Sequence, residues 1–203
     1  MISLAASPQT RAMDVATYLA RLPAGLDSYP EATAKVALAR AFAERLRRDF
    51  PGFRLDPVLL GPLDRPVSGW IPETYNTATF LAARSAFDDD ETFLSWVADA
   101  DRELLSGPLY RMLFWLVGPK RVLRSGAERW GRFHRGSTLA IEPVGEREVI
   151  ARLGYPRELF PPLVNRAFAR SFRVALELAG AASCSCEVTE QTPTEASFLA
   201  RLS

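Results

Sequence analysis

The sequence lacks long hydrophobic runs. Its longest purely apolar stretch covers only residues 112–117, whereas a helix that crosses a bilayer needs about 20 such residues. The N-terminus also lacks the basic start and the apolar core of a secretory signal. We therefore expect no membrane span and a cytoplasmic protein.

Cysteine and histidine are scarce as well. The chain has two cysteines, Cys184 and Cys186, and one histidine, His134. A Cys-x-Cys pair on a strand would strain a disulfide. A zinc site that began with this pair would need two more ligands, and His134 is the only nitrogen donor of the usual kind. We expect reduced thiols and no bound metal.

A strong charge of either sign is also missing, since 25 basic residues face 24 acidic ones and the net charge is +1. Nucleic acid is therefore not expected as the main partner. One local basic stretch contains Lys120, Arg121, Arg124, Arg129, Arg132 and Arg135. Helical phase would scatter these side chains, so we favour a solvated surface, with binding of an anionic partner as the alternative.

What remains is an ordinary globular composition, with 48% hydrophobic residues over 203 positions, which is enough for a single core. The pattern predicts one α+β domain, 1–203, with N-terminal helices in 1–50, a proline-rich connector in 51–72 and a helix and sheet core in 73–203. The N-terminal helices should pack on a small antiparallel sheet, in the order helices, hairpin, helix, hairpin. The predicted elements are helices at 10–22, 28–50, 79–83, 88–104, 108–117, 122–130 and 161–179, and strands at 137–144, 148–153, 183–190 and 195–202.

Aromatic residues mark the candidate binding site. Phe168 and Phe172 share one face of the long predicted helix, and Phe114, Trp115 and Trp130 come from the preceding helical segments. Such faces usually form core, but several packed together can also leave an apolar pocket. We predict that these five residues bind a ligand.

His134 is the only weak candidate for catalysis. It lies in the segment Trp130-Gly-Arg-Phe-His-Arg-Gly136, and its type suits acid-base chemistry near neutral pH. No nucleophile motif and no acidic partner at short spacing accompany it. We therefore expect a packed loop residue and no catalytic residue.

The second half of the chain resembles a known family. Three segments carry the resemblance. The first is Leu-Leu-Ser-Gly-Pro-Leu-Tyr-Arg-Met-Leu-Phe-Trp-Leu-Val-Gly-Pro-Lys-Arg-Val-Leu from Leu104, and the second is Glu-Arg-Trp-Gly-Arg-Phe-His-Arg-Gly. The third is a predicted helix from Phe160-Pro-Pro-Leu to Ala181. They resemble a bacterial, myxobacterial paralogous family of unknown function. That family is similar to the superfamily of haem-nitric-oxide-binding domains, vinyl-reductase-associated ligand domains and vesicle-tethering TRAPP subunits.

The resemblance implies helices against an antiparallel sheet, frequent dimerisation and, in several branches, an apolar cavity. Two family features are missing. No histidine within a predicted helix matches the haem ligand, and the last strands lack the Gly-x-x-Cys ending of the vinyl-reductase type. We therefore expect no haem and no other cofactor.

These observations lead to three functional hypotheses. The first is a non-catalytic regulatory or accessory module that binds a small lipophilic molecule between its helices and its sheet. The second is a homodimeric adaptor that binds a partner protein. The third is a tailoring enzyme that uses His134.

Overall fold

The computed structural model describes residues 13–107 and 118–203, and this part of the chain contains eight α-helices and two antiparallel sheets. The predicted α+β class is confirmed. The N-terminal elements are α1 (Val15–Arg21), β1 (Thr33–Lys35), α2 (Val36–Asp49), α3 (Pro57–Leu60), β2 (Trp70–Pro72), α4 (Glu73–Arg84) and α5 (Asp90–Leu105). The later elements are α6 (Pro119–Arg124), α7 (Gly126–Phe133), β3 (His134–Arg135), β4 (Thr138–Pro143), β5 (Glu148–Gly154), α8 (Pro162–Leu178), β6 (Cys184–Gln191) and β7 (Glu195–Leu202).

The larger sheet has the strand order β4-β5-β7-β6, with every neighbouring pair antiparallel. Its strands match the two strand pairs predicted from alternation. Inward-facing positions alternate along β5, so that Val149, Ala151 and Leu153 are buried. This period of two is what a sheet with one covered face requires.

Helix α8 covers that face of the sheet. It starts with Pro162, whose missing N–H would have no helical partner in the first turn. It ends before Gly180, which has a φ of +91° and donates its N–H to the Glu177 carbonyl. A left-handed glycine at this place closes a helix at little steric cost.

Helix α5 packs along α8. Its N-cap is Asp89, whose carboxylate accepts the N–H of Thr92 at 2.8 Å, an arrangement that satisfies one of the free N–H groups of the first turn. At the same end Arg170 of α8 forms an ion pair with Glu91 at 2.8 Å. The two helices thereby form the wall between the sheet and the other N-terminal helices.

The N-terminal half differs from the prediction in several respects. Helix α3 and strand β2 lie within the predicted connector, and α4 begins at Glu73 rather than at residue 79. A single helix from Ser28 was expected, but residues 33–35 form β1 and the helix starts at Val36. Strand β1 is the centre of a small sheet with the order β2-β1-β3. Strands of two or three residues show no periodicity, which is why the sequence pattern missed them.

The predicted helix at 108–117 lies outside the described residues. No helix in the described part of the chain is both long enough and apolar enough to cross a membrane.

Candidate functional site

A cavity of about 260 Å³ lies where the N-terminal helices meet α7, α8 and the larger sheet. Its volume is just below the range of roughly 300 to 1,000 Å³ that is usual for small-molecule sites. The walls are mostly apolar and include Phe42, Phe80, Val97, Leu104, Leu105, Leu123, Trp130, Phe133, Leu139, Ile141, Val164, Phe168, Phe172 and Leu176. Among the described residues, the polar side chains that border it are those of Asn76, Thr77, Asp101, Arg129, His134 and Ser171.

Three of the five predicted ligand-binding residues come together in this cavity. Phe168 and Phe172 both contact Trp130 edge-on, with ring centroids 5.1 and 6.2 Å apart. Phe114 and Trp115 lie outside the described residues. The aromatic wall therefore exists, while its role in binding a ligand stays a prediction.

The sequence predicted that His134 lies in a loop. The structure instead places it in strand β3, where it is buried. Its ring stacks on Trp130 with centroids 3.9 Å apart and planes 14° from parallel. Its Nδ1 lies 2.9 Å from Oε2 of Glu73, and its Nε2 makes no hydrogen bond within the described chain. The carboxylate partner is 61 residues away in sequence, so spacing along the chain could not reveal it.

The small sheet brings Glu73 and His134 together. Ala34 of β1 pairs with Ile71 of β2 on one side and with His134 of β3 on the other. Glu73, which follows β2, donates its backbone N–H to the Ala32 carbonyl at 2.8 Å. The short strands that the sequence pattern missed therefore build this part of the site.

The pair has a definite chemical capacity. Glu73 is 1% exposed, and its second oxygen accepts a hydrogen bond from Nδ2 of Asn76 at 2.8 Å. A histidine that donates Nδ1–H to a carboxylate keeps a lone pair on Nε2 and a fixed ring orientation. Such a nitrogen can ligate a metal, accept a hydrogen bond or accept a proton.

Asp101 is a second polar residue of the cavity, and sequence reasoning did not single it out. It lies on α5 and accepts a hydrogen bond from the Ser171 hydroxyl of α8. Burial raises the pKa of its carboxyl to about 6, against the opposing effects of the Ser171 hydrogen bond and the charge of Arg45. A carboxyl within a charged helical stretch looks like a surface residue in the sequence, so no signal marked it.

Arg129 brings one member of the predicted basic stretch to the cavity. Its Nε donates to Oγ of Ser125 at 3.0 Å. Burial lowers the pKa of its guanidinium, as do the nearby charges of Arg132 and Arg121. The remaining basic residues of the stretch, Lys120, Arg121, Arg124, Arg132 and Arg135, are exposed at the surface.

The cysteines are free thiols on β6, with Cys186 buried beside the cavity. Burial raises the pKa of the Cys186 thiol to about 12, which disfavours the reactive thiolate. Within residues 13–107 and 118–203, no three side chains of His, Cys, Asp or Glu form a cluster suited to a metal ion.

No protein-family model and no curated protein matches the sequence. Solved structures do match. One from work on heme distortion in the H-NOX family shares 11% identity, spans 83% of this chain and 94% of its own, and has a TM-score of 0.59. A mutant H-NOX from T. tengcongensis shares 12% identity over 83% of this chain and 97% of its own, with a TM-score of 0.57. The chain has the fold of the H-NOX domains.

This fold agrees with the superfamily that the sequence resembles, while membership of the myxobacterial family stays a prediction. The expectation of no haem and no other cofactor is contradicted by these matches. The matching H-NOX structures include the one from work on heme distortion and an oxygen-binding domain in its oxygen complex, which aligns with a TM-score of 0.51. A further match comes from work on heme redox potential and porphyrin distortion, so the absence of a histidine from the predicted helices did not justify that expectation.

One atom that borders the cavity, Nε2 of His134, could serve as a ligand of haem iron. Nε2 of His134 has no hydrogen-bond partner among the described residues and lies beside aromatic walls, and Glu73 fixes its ring. A histidine is the usual axial ligand of haem iron. At about 260 Å³, the cavity would have to widen for a tetrapyrrole, whereas a smaller apolar molecule needs less movement.

Proposed function

We propose that this chain is a non-catalytic regulatory or accessory module that binds a small, largely apolar molecule in the cavity between its helices and its sheet. The observation that carries the proposal is the cavity itself, with aromatic walls and few polar groups. Protein cores contain few spaces larger than a water molecule, because unfilled volume costs free energy. The H-NOX fold supports a binding role by analogy.

Haem is one candidate ligand. In that case His134 would hold the iron through Nε2, Glu73 would orient the imidazole, and Trp130, Phe168 and Phe172 would surround the ring system. Haem supplies an iron centre that can bind a diatomic gas. The protein would contribute a nitrogen ligand from His134, the orientation of its ring by Glu73 and an apolar surrounding.

The other hypotheses have less support. Among the described residues, the large hydrophobic side chains that are exposed are Val58, Val67 and Val144, which do not by themselves define an adaptor surface. The Glu73–His134 pair could serve as a base in an enzyme, but it specifies no reaction. Homodimerisation and a cytoplasmic location remain parts of the proposal to be measured.

Native mass spectrometry of protein purified from its own host tests the binding role and the oligomeric state together. We expect a mass increment from a noncovalent ligand. The matched variants are Ala175→Phe, which fills the cavity from α8, and Ala127→Phe on the exposed surface of α7. The first should lose at least tenfold in ligand occupancy and the second should retain it. Equal occupancy in both variants would place the ligand elsewhere and contradict the proposal.

A haem titration of purified protein then separates the two kinds of ligand. If haem is the ligand, an intense absorption band of bound haem appears and is lost in His134→Gln, which keeps a donor for Glu73. If a metal-free molecule is the ligand, haem produces no saturable band and the extracted molecule rebinds. A chain that carries no ligand and takes up neither haem nor a neutral apolar dye contradicts the function proposed.

A further inference from the structure

Asp101 is the only carboxylate among the described residues that border the cavity. Its side chain is part-exposed, and it faces Ser171 across the contact between α5 and α8. Ser171 lies between Phe168 and Phe172 on α8, and all three residues border the cavity. The carboxylate of Asp101, which accepts the Ser171 hydrogen bond, therefore lies next to the aromatic wall. The cavity thus contains an acidic group in otherwise apolar surroundings.

The hydrogen bonds around Asp101 leave it incompletely satisfied. The hydroxyl of Ser171 has a single proton, which it can donate either to Oδ2 of Asp101 or to the Ala167 carbonyl at 3.0 Å. Oδ1 of Asp101 accepts no hydrogen bond within the described chain, and no described basic residue forms an ion pair with Asp101. Arg45, whose positive charge acts on this carboxyl, pairs with Asp49 and Glu103 instead, each at 3.1 Å.

This arrangement does not serve stability. A carboxylate that is largely withdrawn from water without an ion-pair partner costs free energy, and an apolar side chain would pack against α8 without that cost. A ligand that donates a hydrogen bond to Oδ1 would offset the cost when it binds. The acid therefore has the properties of a recognition group.

We propose that Asp101 and Ser171 form a polar subsite inside the cavity, which binds a hydrogen-bond-donating group of the ligand, a hydroxyl or a protonated amine. The inference rests on the proposed binding function and names the class of molecule. That molecule has an apolar body against Phe168 and Phe172 and a donor group at Asp101. The subsite should bind a donor group more tightly than a carboxylate, because Asp101 is itself negatively charged. Arg129, which also borders the cavity, acts in the opposite direction.

The test measures how three eight-carbon probes displace Nile red, a neutral dye that fluoresces in apolar sites. Octylamine, octanol and octanoate share one apolar body and differ in the polar group. At pH 7.5 we expect octylamine to displace the dye at a concentration at least tenfold lower than octanoate, with octanol between them, because hydrogen bonds to a charged group are the stronger kind.

Two variants on α5 assign the preference to one residue. Asp101→Asn should reduce the advantage of octylamine over octanoate about tenfold. Asp99→Asn is the matched control, because Asp99 is exposed and pairs with Arg102 at the surface, and it should leave the advantage unchanged. Thermal unfolding of each variant verifies that it is folded.

The outcomes separate the subsite from the binding function. If the wild-type chain binds Nile red but prefers octanoate, or if Asp101→Asn leaves the order unchanged, the subsite is refuted while the cavity function stands. If the wild-type chain carries no ligand and takes up neither haem nor Nile red, the binding function fails and the subsite fails with it.

Discussion

At the scale of single residues, Asp101 is expected to make stability depend on pH. Its carboxyl has a pKa of about 6 in the fold against 3.8 in the unfolded reference. The folded state therefore favours the protonated carboxyl more than the unfolded state does. The contribution of this carboxyl to stability is complete below about pH 4 and is lost as the pH rises through 6.

We predict that Asp101→Asn is more stable than the wild type at pH 8, by about 1 to 3 kcal/mol, since two pKa units correspond to about 3 kcal/mol at most. The difference should shrink towards zero between pH 6 and pH 4. Urea unfolding at a series of pH values measures it. The groups that face this carboxyl are Ser171 from α8 and Arg45 from α2, while Arg129 and His134 border the same cavity.

Asp99→Asn provides the reference for this measurement, because an exposed acid on the same helix should change stability by less than about 0.5 kcal/mol at every pH. A wild type that is more stable than Asp101→Asn at pH 8 would show that the ionised carboxylate is stabilised by a partner within the protein.

Single residues were the part of the site that the sequence predicted least well. Trp130, Phe168 and Phe172 could be found because aromatic residues at helical spacing must face a common interior. His134 and Glu73 could not be paired, because their contact depends on three short strands that bring distant segments together. Asp101 resembles every other acid of an amphipathic helix until the position of α8 is known.

At the scale of elements, Gly136 controls how closely β3 approaches β1. It has a φ of +70°, and a Cβ at this position would lie 2.6 Å from the Cα of Ala32 and 2.8 Å from the Glu31 carbonyl oxygen. Both the backbone conformation and the lack of space therefore require glycine. The neighbouring strand carries His134, so the approach also sets the position of its imidazole.

We predict that Gly136→Ala destabilises the chain by about 2 kcal/mol or more, because strain at a positive φ adds to the displacement of backbone. It should also weaken ligand binding, since β3 must move away from Ala32. Urea unfolding and Nile red fluorescence measure the two effects.

Gly145→Ala is the matched control for this substitution. An added Cβ at Gly145 meets only the Glu148 side chain at ordinary contact distance, 3.8 Å, so both stability and dye binding should stay close to wild type. A Gly136→Ala variant that behaves like this control would mean that β1 and β3 are not held at the distance described.

Elements were predicted in proportion to their length. The strands of the larger sheet and helix α8 show clear periods of two and of 3.6 residues, so their positions followed from the pattern. Strand β1 was absorbed into a longer predicted helix, because Ser28 and Pro30 look like a helix start and three residues carry no period. The sheet that positions His134 was thus invisible to periodicity.

At the scale of the whole molecule, two apolar clusters meet at the cavity. One packs α8 on the larger sheet and contains Trp130 and Phe198, and the other joins α1, α2, α4 and α5 around Phe93. Phe80 of α4 packs against both clusters and also borders the cavity. The sequence predicted the helices and the sheet that contain these clusters. Whether a cavity remains between them depends on which side chains meet there, and the sequence pattern does not show that.

This position of Phe80 leads to a prediction about cooperativity. The wild type should unfold in urea in one transition, with far-ultraviolet circular dichroism and tryptophan fluorescence coinciding, because the two clusters share α8 and the residues around the cavity. Phe80→Ala should lower the free energy of unfolding by about 2 to 4 kcal/mol, since truncating a phenylalanine enlarges an existing space. Val58→Ala, at a side chain that is 59% exposed, should change the free energy of unfolding by less than about 0.5 kcal/mol.

If the two signals separated, the two halves would unfold independently, and a ligand in the cavity would then bind at a boundary that can open. If they stay together in Phe80→Ala, a ligand bound between the layers stabilises the whole chain at once, which is how a small molecule can act as a regulatory signal.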